Sequence, residues 1–173
     1  MAREIDFSNL RLQDALDLAI LIEEEAEERY TEFAVQLEEF QTPETGRFFR
    51  FMAANEAKHG RELLVRRRAL FAESPAAVHR GMLWDVEAPT YDKARAFMTP
   101  RQALQVALES EVRAHDYFAQ ALPHLKDPEV KTLFEELRRE EIEHQRLVKL
   151  ELEKQPADSE IDPEERVDEP PAL

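Results

Sequence analysis

Glutamate and histidine three residues apart on a helix project from one face, one turn apart. The sequence contains that pairing twice, as Glu56/His59 and Glu141/His144, and each pair follows a lone glutamate, Glu23 or Glu111, set in an apolar run. An ionised carboxylate buried without a partner is very costly. Four in one core must either take up protons or hold cations between them. Four carboxylates facing two neutral imidazoles need two divalent ions to bring a dry core to neutrality. Oxygen-rich ligation with one imidazole per metal suits iron, with manganese or another divalent ion as the alternative.

These residues need long helices to position them, and four segments carry helical periodicity. The first stripe runs Leu12, Leu16, Ala19, Glu23, Ala26, Tyr30, Phe33, Leu37 and Phe40, in alternating steps of four and three. The second opens at Thr42-Pro43-Glu44, a capping residue followed by proline and an acid, and carries Phe49, Met52, Glu56, His59 and Leu63. The third follows Thr99-Pro100 with Leu104, Ala107, Glu111, Ala114, Phe118 and Leu125. The fourth begins Asp127-Pro128-Glu129 and carries Val130, Phe134, Leu137, Glu141, His144 and Val148.

The two halves repeat one hairpin. A constant offset of 85 carries Phe49 to Phe134, Glu56 to Glu141 and His59 to His144, and an offset of 88 carries Glu23 to Glu111 and Tyr30 to Phe118. Short loops make each helix pair antiparallel. Between the second and third helices, from about Glu73 to Met98, no period is sustained. A connection of 28 residues would reach about 40 Å if helical, enough to run the length of the bundle. The expected fold is therefore an all-α four-helix bundle with one long crossover between helices 2 and 3. It should occupy residues 1–154, and residues 155–173, acidic and proline-rich, should form a disordered tail.

The chain has 173 residues, one domain's worth, with a net charge of −15. From Lys154 onward there are seven acidic and two basic residues. Such a surface disfavours nucleic acid and anionic membranes. No apolar run approaches the roughly 18 residues of a membrane span, and the first residues lack a signal-peptide layout. A cytoplasmic location is the default expectation. The absence of cysteine excludes disulfides and iron–sulfur or rubredoxin-type iron sites within this sequence.

The series Glu23-x-x-Ala26-x-x-x-Tyr30, Glu56-x-x-His59, Glu111-x-x-Ala114-x-x-Tyr117-Phe118 and Glu141-x-x-His144 resembles the rubrerythrin and erythrin branch of the ferritin-like diiron proteins, over roughly residues 10–152. The resemblance implies a diiron site with Glu23, Glu56 and His59 from one half and Glu111, Glu141 and His144 from the other. It implies oxidation of bound Fe(II) by hydrogen peroxide or dioxygen, as a peroxide reductase with an external electron donor or as a ferroxidase. The alternative is an iron storage or buffering component inside a cage or partner shell. Two departures stand out. There is no cysteine for a rubredoxin domain, and Ala114 stands where rubrerythrins carry an extra carboxylate on the third helix.

Glu109 is a rival to Glu111, but only Glu111 lies in the apolar stripe. Tyr30, two turns beyond Glu23 on the same face, is either a core aromatic with a satisfied hydroxyl or a hydrogen-bonding or electron-donating neighbour of the metals. His115 has no counterpart ligand in the repeat and is expected at the surface or beside the site. Residues Ala15 to Ile22 are apolar on nearly every face, which leaves Leu18, Leu21 and Ile22 without a place in the bundle seam. A homo-oligomer, at least a dimer, is the expected cover for them.

Overall fold

The computed structural model describes residues 6–39, 43–76, 78 and 99–156. Four helices make up the body: α1 (Leu12–Glu39), α2 (Pro43–Phe71), α3 (Pro100–Ala121) and α4 (Pro128–Leu152). A 3-10 turn, Phe7–Asn9, precedes α1, and another, Leu122–His124, links α3 to α4. No strand occurs among the described residues. No helix there is long and apolar enough to cross a membrane.

The helix starts follow local chemistry. Thr99 and Gln102 form a reciprocal capping box at α3, each side chain bonding the other's backbone N–H at 3.0 Å. The Asp127 carboxylate accepts from the N–H groups of Glu129 and Val130 at α4. In both helices proline stands in the first turn, where its missing N–H leaves nothing unbonded. The capping residue expected for α2, Thr42, lies outside the described residues, as does Phe40 at the end of the first stripe.

The core has two apolar clusters, and their membership fixes the topology. One gathers the start of α1 (Leu12 to Ile22), Leu63 near the end of α2, the end of α3 (Ala114 to Ala121) and the start of α4 (Val130 to Leu137). The other gathers the end of α1 (Tyr30 to Leu37), the start of α2 (Phe49 to Ala53), the start of α3 (Ala103 to Ala107) and Val148 of α4. Helices α1 and α2 therefore run antiparallel, as do α3 and α4. Helices α2 and α3 run the same way, so the end of α2 and the start of α3 lie at opposite ends of the bundle. This is the ferritin-like four-helix bundle with one long crossover. Most of the crossover, residues 79–98, lies outside the described residues.

The structure corrects one expectation about α1. Leu18 and Ile22 are buried within the chain itself, with Leu21 partly buried beside them. Phe7 and Leu10 before α1, Phe71 at the end of α2 and Val78 in the first part of the crossover pack against the same cluster. The helix face is wider than a single stripe because the chain's own flanking segments cover it. Asp17, the polar exception there, is buried against Arg67 of α2. The guanidinium grips both carboxylate oxygens, at 2.7 and 3.3 Å, and donates to the carbonyls of Ala72 and Ser74. That one side chain fastens α2 to α1 and holds the first residues of the crossover.

After α4 the chain stays docked as far as the described residues go. Arg101 of α3 donates to the Gln155 carbonyl at 3.2 Å and approaches that of Pro156 at 3.5 Å. Of the tail expected at residues 155–173, Gln155 and Pro156 are thus described, and residues 157–173 lie outside the described residues.

Candidate metal centre

Between the two apolar clusters, the stripes of all four helices change from apolar to polar at one level. Glu23 comes from α1, Glu56 and His59 from α2, Glu111 from α3, and Glu141 and His144 from α4. The structure brings all six together. The four glutamates and His144 are at most 4% exposed, whereas the His59 side chain is 17% exposed. Glu111 is fully buried and Glu109 is exposed on the same helix, as a two-residue step along a helix requires. His115 bonds the neighbouring Asp116 carboxylate near the surface, away from the six.

Both imidazoles turn Nδ1 toward carboxylates. His144 Nδ1 lies 3.4 Å from Glu56 Oε1, 3.4 Å from Glu111 Oε2 and 4.0 Å from Glu141 Oε2. His59 Nδ1 lies 3.8 Å from Glu56 Oε2 and 3.9 Å from Glu23 Oε2. These separations suit atoms grouped around a cation better than atoms joined by hydrogen bonds, which close to about 3 Å. Glu56 stands in the middle, with one oxygen toward each histidine.

Two further contacts position the set. The Tyr30 hydroxyl donates to Glu111 Oε1, so Glu111 is held from α1 and leaves Oε2 facing His144. Gln145 donates from α4 to the Glu111 backbone carbonyl at 3.3 Å, which pins α3 to α4 at this level.

The donor atoms fit a metal. Glu23 Oε2, Glu111 Oε2, His59 Nδ1 and His144 Nδ1 are all buried and make no hydrogen bond. Buried polar groups without partners are rare because each forfeits its hydration; here they converge. Three overlapping groups have ligand atoms within 4.8 Å of one another: Glu56/His59/His144, Glu111/Glu141/His144 and Glu23/His59/Glu140. The sequence pattern pointed to every residue of these groups except Glu140.

The protonation pattern reflects crowded, dry carboxylates. Burial pushes the Glu23 carboxyl up to about 8, with the charges of Glu140 and Glu111 adding to it and Glu56 and His144 opposing. Burial also raises Glu140. The two histidines diverge. Burial and the charge of His144 hold His59 below the usual imidazole value. Burial would lower His144 too, but the Glu111 carboxylate, then Glu23 and Glu140, carry it above that value. Without metal, burial favours the protonated form of the Glu23 carboxyl.

The rubrerythrin family model matches residues 14–81, a span that contains Glu23, Glu56 and His59. The crystal structure of an uncharacterized conserved protein from Magnetospirillum magnetotacticum MS-1 shares 35% sequence identity with a TM-score of 0.70, over 86% of this chain and 97% of that one. The chain belongs to the rubrerythrin family. Comparison with curated proteins gives no match. The rubrerythrin match suggests a diiron-carboxylate protein and implies iron binding, and the converging Glu and His side chains could hold a metal.

Proposed function

We propose that the protein binds two iron ions among Glu23, Glu56, His59, Glu111, Glu141 and His144, and that the bound Fe(II) is oxidised by hydrogen peroxide or dioxygen. The observation that carries this reading is the placing of Glu56 between the two histidines, with four unbonded donor atoms around it. Glu56 would be a ligand common to both halves of the site. Glu23 with His59 would serve one ion, and Glu111 and Glu141 with His144 the other.

Iron held there would supply reducing electrons, one from each Fe(II), enough with two protons to reduce one peroxide to two waters. The chain's own residues supply the rest. Tyr30 fixes one oxygen of Glu111 and so limits how that carboxylate can swing. The apolar clusters on either side, with Phe49 and Met52 toward one end and Leu137 and Phe134 toward the other, keep water from the ligands. As a peroxide reductase the protein would draw electrons from an external donor; as a ferroxidase it would pass Fe(III) to an acceptor.

The test is to mix protein loaded anaerobically with Fe(II) separately with peroxide and with dioxygen, and to follow Fe(III) absorbance. At least one should oxidise the bound iron within minutes. If neither does, an iron store or buffer becomes the better reading. We also propose self-association, at least to a dimer. The support is a shallow stripe on α3, where Leu108 and the exposed Val112 flank a surface depression. A clean monomer by light scattering at micromolar concentration would end that proposal.

A further inference from the structure

The metal centre is not equally closed on its two sides. At the His144 side the imidazole is 4% exposed, and Tyr30 holds Glu111 from behind. At the His59 side the imidazole is 17% exposed and forms part of the wall of a groove of about 190 Å³ between α2 and α4. Glu62 and Arg66 line the groove from α2, and Glu136 and Glu140 from α4.

The outer charges of this groove are already partnered. Arg66 pairs with Glu136 at 3.1 Å, and Lys58 with Glu62 at 3.7 Å. Glu140, further in and only partly buried, has no ion pair among the described residues. It reaches inward instead, where its carboxylate lies within 4.8 Å of ligand atoms of both Glu23 and His59. In that inner group, Glu23 Oε2 is buried and makes no hydrogen bond. Glu140 therefore touches the groove on one side and an unsatisfied buried carboxylate on the other. The repeat gives it no twin: 85 residues earlier stands Asn55, so the repeat does not supply such a carboxylate on the other side of the centre.

We propose that Glu140 is the port carboxylate of the centre: it captures an incoming divalent cation at the inner end of the α2–α4 groove and passes it to Glu23 and His59. The physical basis is focusing. A carboxylate without an ion pair at the inner end of a cleft with low-dielectric walls raises the local cation concentration, and a hydrated ion sheds water stepwise as oxygen ligands replace it. Glu140 offers the first inner oxygen, Glu23 and His59 the next donors. The ion then lies beside Glu56, whose second oxygen faces His144. Both ions of the pair would pass this way, because the His144 side is shut.

The inference rests on the metal centre proposed above, and its test separates the two. Metal-free full-length protein is mixed with Co(II) in a stopped-flow instrument, and the d–d absorption gives the loading rate and the final stoichiometry. Glu140→Gln keeps the shape and removes the charge. Glu135→Gln removes the same charge from an exposed position on α4. Glu140→Gln should load about tenfold more slowly, at the lower end of the range for electrostatic focusing, and reach the same stoichiometry as wild type. Glu135→Gln should load within about twofold of wild type. Equal slowing in both variants would overturn the port in favour of general surface attraction, and an unchanged rate in Glu140→Gln would overturn it outright. Loss of one bound ion in Glu140→Gln would make Glu140 a resident ligand and also overturn it. A wild-type chain that takes up no Co(II) removes the centre itself, and the port with it.

Discussion

The imidazole rings of His59 and His144 stack face to face, with centroids 5.4 Å apart and planes 11° from parallel. They come from helices α2 and α4, related by the internal repeat, and Glu56 lies against the Nδ1 atoms of both. Two like rings held in this way, each aimed at carboxylates, describe a site with a near-twofold arrangement of donors. Their opposite protonation tendencies show that the two halves are nonetheless unequal in the metal-free chain.

Stability of the metal-free protein should fall as pH rises. The Glu23 carboxyl, ordinarily near 4.5, is raised to about 8 in the folded chain. The folded state then binds more protons than the unfolded state between those values, so stability is full below about 4.5 and is lost as pH climbs through about 8. The loss is on the order of a few kcal/mol. His144, also raised, adds a loss of the same sign, whereas His59, lowered, loses stability as pH falls. Thermal melts from pH 5 to 9 with and without metal check this: the gap between the two forms should widen toward alkaline pH.

Ligand variants should separate metal binding from folding. Glu111→Gln removes a fully buried charge from a crowded core, so the metal-free variant should melt at or above the wild-type temperature. The same variant should lose the extra stability that metal confers on the wild type. Glu109→Gln, exposed on the same helix, should leave both melts unchanged. A Glu111→Gln chain stabilised by metal as strongly as wild type would show that Glu111 is not a ligand.

Tyr30→Phe deletes the hydroxyl that donates to Glu111 and leaves the ring packed against Phe49. A hydrogen bond to a charged acceptor is worth about 1.5–3 kcal/mol, so denaturant titration of the loaded protein should show a loss in that range. The helical content should persist, since the repeat already accommodates phenylalanine at the equivalent Phe118. Undiminished stability would mean that Glu111 is held without Tyr30.

Much of the fold could be read from spacing alone because the helices are long and their stripes regular. Every described member of the four stripes is buried except His59, which is partly exposed. Two features escaped for physical reasons. The burial of Leu18 and Ile22 depends on Phe7, Leu10 and Val78, residues outside any periodic run, whose docking a stripe does not encode. Glu140 lies one position off the seam and has Asn55 as its repeat partner, so neither stripe nor repeat selects it. The available signal was its spacing of four from His144, which puts both on one helix face.

Arg67→Met should be among the more destabilising substitutions outside the centre. It strands Asp17, whose side chain is only 8% exposed, and frees the carbonyls of Ala72 and Ser74. Breaking one side of a buried pair is costly because it leaves the other charge without its partner. The double variant Asp17→Leu with Arg67→Met should recover part of that loss, and chemical denaturation of the three variants measures the coupling. No recovery in the double variant would place the cost in the released crossover rather than in the stranded carboxylate.

The most direct test of the proposed centre is iron content after anaerobic Fe(II) loading and desalting, measured for wild type and for Glu56→Ala. Glu56 is the carboxylate that faces both histidines. Wild type should retain two iron ions per chain, and Glu56→Ala, while remaining helical by circular dichroism, should fail to retain the pair. Wild-type protein that keeps less than one iron ion per chain, or a Glu56→Ala chain that keeps two, would contradict a dimetal site built around Glu56.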